Sequence, residues 1–116
     1  DCWAAAAAKA DTAPTLTVTE ILDGKFFTAA TTVDRVWTLP TAAGATGLVR
    51  GLPGTVAVGD VFWFVISNAG SGGSAVITAG AGAIIEGDAK VLFNTTKVAF
   101  CRVTSITADS ETITCY

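Results

Sequence analysis

The sequence predicts an all-β protein: an antiparallel β-sandwich of jelly-roll type, with an extended N-terminal arm and at most one short helix. Short apolar, β-branched or aromatic runs recur roughly every 8–12 residues with Gly, Asn and Asp between them, a spacing typical of sandwiches and barrels. The 116 residues fit a single domain. We therefore divide the chain into an N-terminal assembly arm, residues 1–14, and one β-sandwich domain, residues 15–116.

The arm reads DCWAAAAAKADTAP. Its five consecutive alanines favour helix intrinsically, but they bury too little surface to hold an isolated helix. We therefore expect the arm to dock on a neighbouring subunit, with the indole ring of Trp3 as an anchor. The expected interface residues are Cys2, Trp3, Ala4, Ala5, Ala6, Ala7 and Ala8.

Strand patterns dominate the first half of the domain. The predicted strands there are residues 16–19 (LTVT), 25–29 (KFFTA) and 33–39 (VDRVWTL). Residues 20–24 (EILDG) predict a turn. Residues 40–54 form a Gly-rich connection in which Thr41 is a candidate N-cap for one short helix.

The strongest strand pattern is residues 60–67 (DVFWFVIS), which is nearly continuous in bulky apolar residues. Such a strand is typically buried on both faces, and a subunit contact is a candidate cover for one of them. We expect Trp37 and Trp63, which lie in strand patterns, to belong to the core. The Gly-rich residues 68–73 (NAGSGG) predict a hairpin loop. The remaining predicted strands are residues 74–78, 83–86 and 90–93, followed by a final hairpin of residues 96–104 and 111–116.

The three cysteines predict one disulfide. If the final hairpin turns about Ala108, Cys101 and Cys115 are equidistant from the turn and face each other across the ladder. A disulfide then requires the closer, non-hydrogen-bonded type of pair. Cys2 remains as a candidate for an inter-subunit bond, and a rival pairing joins Cys2 to Cys101 or Cys115 of a neighbour. Three reduced thiols are the other alternative.

Two features favour an extracellular or virion-surface location. The chain has no Met and begins at Asp1, so we expect that a leader or propeptide has been removed. Asn94-Thr95-Thr96 is an N-x-T sequon, which makes Asn94 a predicted glycosylation site in a host that glycosylates.

Charged residues are scarce, at 15% of the chain against about 25% in ordinary soluble domains. Because few polar side chains are available to cover the surface, we expect copies of the same chain to cover part of it. The net charge of −3, without a basic stripe, disfavours nucleic acid as a partner. Insertion across a membrane is not expected, because the longest bulky apolar run, residues 61–66, is far too short.

Catalytic patterns are weak. The chain has no His, which excludes a Ser-His-Asp triad, a Cys-His pair and His-ligated zinc. The nearest carboxylate pairs, Glu20 with Asp23 and Glu86 with Asp88, lie in predicted turns where acidic side chains are ordinarily solvated. The Gly-rich residues 70–73 lack the GK[ST] of a phosphate-binding loop. We therefore expect no enzymatic activity, no cofactor and no metal site.

Several short motifs occur together along the domain: LPTAA at residues 39–43, LPG at 52–54, VGD at 58–60, and a strand that ends in Ile66-Ser67-Asn68. This arrangement resembles small β domains in virion proteins of phages and large DNA viruses. The resemblance covers roughly residues 16–115 and implies a capsid-surface, fibre or decoration role with homo-oligomerisation. The DCW arm and the cysteines depart from that pattern and suit a covalently locked extracellular assembly.

These observations predict a non-catalytic, self-assembling structural subunit, foremost a virion capsid-surface or fibre protein. Its expected partners are copies of itself and other virion or filament proteins. The first alternative is a subunit of an extracellular filament or sheath, in which the arm adds a strand to its neighbour. The second is a secreted carbohydrate-binding module that uses an exposed Trp, and an enzyme ranks last.

Overall fold

The computed structural model describes residues 6–116, and strands dominate this part of the chain. The strands are β1 (Ala7–Ala10), β2 (Phe26–Ala29), β3 (Arg35–Thr38), β4 (Val61–Asn68), β5 (Ser74–Thr78), β6 (Ala83–Ile85), β7 (Lys90–Leu92), β8 (Thr95–Ser105) and β9 (Thr112–Cys115). Helical structure is limited there to a π-helical turn at Glu20–Gly24 and one short helix, α1 (Leu48–Gly51). The predicted all-β class is confirmed.

The strands form two sheets with mixed pairing. A large sheet has the order β1-β2-β4-β8-β9-β6, and a small sheet has the order β3-β5-β7. The pairs β1–β2, β2–β4, β3–β5 and β6–β9 are parallel, whereas β4–β8, β5–β7 and β8–β9 are antiparallel. The expected all-antiparallel, jelly-roll pairing is therefore not observed. Strands next to each other in sequence often lie in different sheets, so strands that run in the same direction become neighbours.

Three buried aromatic side chains join the two sheets. The ring of Phe27 on β2 meets that of Trp37 on β3 edge-on, with 5.8 Å between centroids, and that of Phe64 on β4 at 5.7 Å. All three side chains are almost completely excluded from solvent. The core thus lies between the sheets, and the predicted core position of Trp37 is confirmed.

The Gly-rich segment at residues 68–73 was predicted to be a hairpin loop, but it crosses from β4 in the large sheet to β5 in the small one. Gly70 approaches the β2–β3 connection so closely that an added Cβ would lie 2.1 Å from the Thr31 carbonyl oxygen. The buried Asn68 amide donates to Thr31 Oγ1 at 2.9 Å and to the Val91 carbonyl at 3.0 Å. The close approach of the Gly70 and Thr31 backbones and the buried hydrogen bonds of Asn68 therefore stabilise the passage of the chain from one sheet to the other.

The predicted strand at residues 16–19 is also wrong, because this segment leads into the π-helical turn. Glu20 N donates to Thr17 Oγ1, and Thr17 N donates to a Glu20 carboxylate oxygen, both at 3.1 Å. This is a capping box, and its T-x-x-E spacing is present in the sequence, where it overlaps the alternating LTVT pattern.

The predicted N-cap of the short helix is also wrong. Thr41 does not cap α1, whose N-cap is Gly47; the Thr41 hydroxyl lies 3.3 Å from the Ala43 and Ala81 carbonyls instead.

The C-terminal hairpin has the predicted register. Cys101 on β8 lies opposite Cys115 on β9, and the two sulfur atoms form a disulfide. Phe100 and Tyr116 exchange both backbone hydrogen bonds, so the adjacent cysteine pair is of the non-hydrogen-bonded type. That is the geometry a cross-strand disulfide requires.

Part of the predicted arm belongs to this chain's own sheet, since β1 pairs with β2 and Ala7 lies opposite Phe27. Ala6 is exposed and Ala8 lies opposite Thr28. The other expected interface residues, Cys2, Trp3, Ala4 and Ala5, lie outside the described residues. Docking of the arm on a neighbour stays a prediction.

Candidate functional site

The outer face of the large sheet exposes bulky apolar side chains. Along β4 the side chains alternate, with Phe62 and Phe64 buried and Val61 and Trp63 exposed. The expectation that this strand is buried on both faces is therefore wrong for the single chain. Trp63, expected in the core, is 36% exposed. The reason is that the small sheet covers one side of the large sheet and leaves its other side open.

Cross-strand register gathers the exposed side chains into one patch. Trp63 lies opposite Phe100 on β8, and Phe100 pairs in turn with Tyr116. Side chains directly opposed on one face of a sheet lie about 4.5–5.5 Å apart at Cβ, so these residues are neighbours. We call this patch the outer aromatic face, and it consists of Phe26, Val61, Trp63, Val98, Phe100 and Tyr116.

Two cations border the outer aromatic face. The Lys25 ammonium lies 5.0 Å from the centroid of the Trp63 ring and donates to the Trp63 carbonyl oxygen at 3.2 Å. Lys25 has φ +60°, a strained value for a residue with a side chain. Arg102 is exposed and lies opposite Val61. An apolar centre with a polar rim is the usual anatomy of a protein interface.

A cavity of about 310 Å³ adjoins this face at the start of β4. Its lining includes Leu22, Lys25, Leu52, Pro53, Val56 and Trp63. Asp60 also lines it, but the Asp60 carboxylate accepts the Ala57 N–H at 2.9 Å and so closes the turn before β4. Most side chains that line the cavity are apolar, and Lys25 and Asp60 there hydrogen-bond to backbone atoms of Trp63 and Ala57.

Two of the four candidate carboxylates, Glu20 and Asp88, have structural partners. Glu20 pairs with Lys9 and belongs to the capping box, and Asp88 accepts the Lys90 N–H at 3.0 Å. Among residues 6–116, no group of three or more His, Cys, Asp or Glu side chains is placed to hold a metal ion. In the same part of the chain, no helix has the length and apolar character needed to cross a membrane.

An ion pair between exposed Arg50 and buried Glu111 ties the segment around α1 to the final hairpin. Glu111 is only 2% exposed; one carboxylate oxygen lies 2.5 Å from Arg50 Nε, and the other accepts the Gly44 N–H at 3.1 Å. Arg50 also donates to Asp109 at 3.0 Å. The Gly44 N–H and the Arg50 guanidinium lower the pKa of Glu111 to about 2. Sequence reasoning missed this pair, because 61 positions separate its members and no local pattern links them.

We expect acid to destabilise the protein through this junction. Glu111 titrates near 4.5 when unperturbed and about 2 when folded, so its contribution is present above pH 4.5 and is lost as the pH falls toward 2. Hydrogen bonds from Arg35 and then Thr32 also hold the pKa of Asp11 well below its usual range, which acts in the same direction.

Thermal unfolding of Glu111→Gln between pH 7 and pH 2 measures this effect. The variant should be less stable than the wild type at pH 7 and should lose less of its stability on acidification. Glu86→Gln, at an exposed position, is the matched control and should follow the wild type. A pH profile of Glu111→Gln parallel to the wild-type profile would contradict the prediction.

Asn94 lies in the turn between β7 and β8, where it is exposed and has φ +60°. Thr95 and Thr96 are exposed beside it. The sequon is thus open to solvent, and glycosylation of Asn94 stays a prediction.

No protein-family model, curated protein or solved structure matches this chain. The outer aromatic face is accordingly interpreted from its own residues.

Proposed function

We propose that this chain is a non-catalytic structural subunit that assembles with copies of itself through the outer aromatic face. The observation that carries the proposal is the contiguous group of six exposed apolar side chains on one side of the large sheet. Exposed apolar patches larger than a few hundred Å² usually mark interaction surfaces. The low charged fraction of 15% supports the same conclusion.

A second copy has the right size to cover this face. With about 4.8 Å between strands and about 3.3 Å per residue, the four strands that carry the face and the length of β4 define roughly 500 Å². This area is more than half of the roughly 800 Å² that a standard interface takes from each partner. Two copies packed sheet against sheet would remove both patches from water together, in the way that two sheets pack in a sandwich.

Within this role, we propose a virion capsid-surface or fibre protein built as a β-sandwich. The support is the motif resemblance together with a compact two-sheet fold. The buried Cys101–Cys115 disulfide supports an oxidising environment, and hence an extracellular or virion-surface location. A subunit of an extracellular filament or sheath is the alternative within the same class, supported by the position of β1 at the end of the large sheet in the described part of the chain.

The assembly proposal is tested with Trp63→Asp and Phe100→Asp. Each substitution removes an aromatic contact and buries a carboxylate at the centre of the interface, which should raise the dissociation constant at least about 100-fold, the scale of an interface hot spot. Sedimentation or light scattering over a range of protein concentrations gives the mass of each variant. Val36→Asp is the matched control, because Val36 is 50% exposed on the outside of the small sheet and its variant should assemble normally.

A wild-type protein that stays monomeric at all concentrations would refute self-assembly. Undisturbed assembly of both Trp63→Asp and Phe100→Asp would refute the outer aromatic face as the contact.

A carbohydrate-binding module is the second candidate function, from a different class. It is favoured by the exposed ring of Trp63 in a row with Phe100 and Tyr116, since aromatic faces on a sheet can stack against sugars. A monomeric wild type that sediments with insoluble polysaccharide, and loses that binding in Trp63→Ala, would select this function over assembly.

A further inference from the structure

We propose that β1 is exchanged between copies, so that Ala7–Ala10 of one subunit pairs with β2 of the next. This inference rests on the proposed self-assembly and names the segment that links the subunits. The exchanged strand would make between chains the contacts that it makes within one chain in the structure.

The position of β1 suits exchange. Among the strands of residues 6–116, it is the end strand of the large sheet and pairs only with β2. Ala8 and Ala10 are exposed, and Ala7 and Lys9 are only half-buried. Releasing β1 therefore exposes little apolar surface. The main loss is a set of backbone hydrogen bonds, which the same strand of a second copy restores.

The charges on this segment match the charges at its docking site. The Lys9 ammonium lies 2.6 Å from the Glu20 carboxylate, and the Asp11 carboxylate lies 2.8 Å from Arg35 Nε. Asp11 also accepts the Thr32 hydroxyl at 2.6 Å. Because Lys9 must meet Glu20 and Asp11 must meet Arg35, the order of the two charges specifies the direction and register of the bound strand. The occupant that fits is thus another β1 from the same protein.

The chain between Asp11 and the domain is a short turn that can act as the hinge. The Thr12 hydroxyl donates to the Lys9 carbonyl and closes this turn. Thr12 and Ala13 are exposed, while the Pro14 carbonyl accepts the Thr38 N–H and marks the fixed end of the hinge. Opening the turn at Thr12 and Ala13 extends β1, together with Asp11, away from its own domain. Short hinge segments promote swapping of this kind.

The test mixes two single-site variants, Ala8→Cys and Thr28→Cys, each in a Cys2→Ser background. These positions lie opposite each other in the β1–β2 register. The chains are unfolded together without reductant at acid pH, where the introduced thiols are protonated and do not exchange with the Cys101–Cys115 disulfide, then refolded and treated with a short bis-maleimide. We expect covalent heterodimers at ten or more times the yield obtained when Thr107→Cys, at an exposed position at the far hairpin, replaces Thr28→Cys.

A chain that carries Ala8→Cys and Thr28→Cys together separates failure of the exchange from failure of self-assembly. Cross-linked monomers alone, from protein that sediments as an assembly, would overturn the exchange and leave the proposed function standing. Cross-linked monomers from protein that sediments as a monomer would overturn both. Equal heterodimer yields with Thr28→Cys and Thr107→Cys would also overturn the exchange.

Discussion

Gly70→Ala is expected to lower the free energy of unfolding by about 4 kcal/mol or to prevent folding, which is at the upper end of single-substitution effects. The added Cβ would lie 2.1 Å from the carbonyl oxygen of Thr31 and 2.3 Å from its nitrogen. Both are backbone atoms of a fully buried residue, so neither can rotate away. The crossing between the sheets would have to separate, and Asn68 would lose its hydrogen-bond partners there. Urea unfolding followed by tryptophan fluorescence measures the loss.

Gly87→Ala is the matched control for this prediction. Gly87 has φ +73° and no atom within 4 Å of an added Cβ, so its substitution introduces backbone strain without a collision. The expected cost is about 1–2 kcal/mol. If Gly70→Ala lowers the free energy of unfolding no more than Gly87→Ala does, the close approach of Gly70 to Thr31 is not what stabilises the connection between β4 and β5.

Removing the disulfide with Cys101→Ala and Cys115→Ala is expected to cost about 3 kcal/mol, because the bond closes a short loop in the unfolded chain. The two cysteines are 14 positions apart and both are buried. Guanidinium unfolding of the double variant, compared with the oxidised wild type, measures the difference. The reduced wild type should unfold close to the double variant.

Cys2→Ser is the control for the disulfide, since it removes a thiol and leaves the Cys101–Cys115 pair intact. Its unfolding midpoint in monomeric conditions should equal that of the wild type. A double variant as stable as the oxidised protein would show that the bond contributes nothing to folding, and would remove the main support for an oxidising location.

The local parts of the fold were predictable. The positions of β2, β4, β5, β8 and β9 follow from apolar and β-branched runs between Gly, Asn and Asp. The cysteine register follows from equal distances to one turn. By contrast, the alternating LTVT run competes with the capping box of Thr17 and Glu20, and the helical turn prevails because Glu20 also pairs with Lys9.

The sequence predicted the strands of the outer aromatic face but not which of their side chains are exposed. The run VFWFVIS is apolar on both of its faces, so its pattern identifies a strand and does not say which face is covered. Only the position of the small sheet decides that Phe64 is buried and Trp63 is exposed. The pairing of Phe100 with Tyr116, by contrast, follows from the predicted hairpin register that places the two cysteines opposite each other.

The amino-acid sequence by itself determined the all-β class, most strand positions and the facing cysteines, because these depend on side-chain period and turn residues within a few positions. The tertiary structure alone decided the strand directions, the division into two sheets, the exposed side of β4 and the Arg50–Glu111 pair. These features depend on contacts between segments far apart in the chain. At the crossing between the sheets, such a contact is possible because Gly70 has no side chain and its backbone can approach that of Thr31.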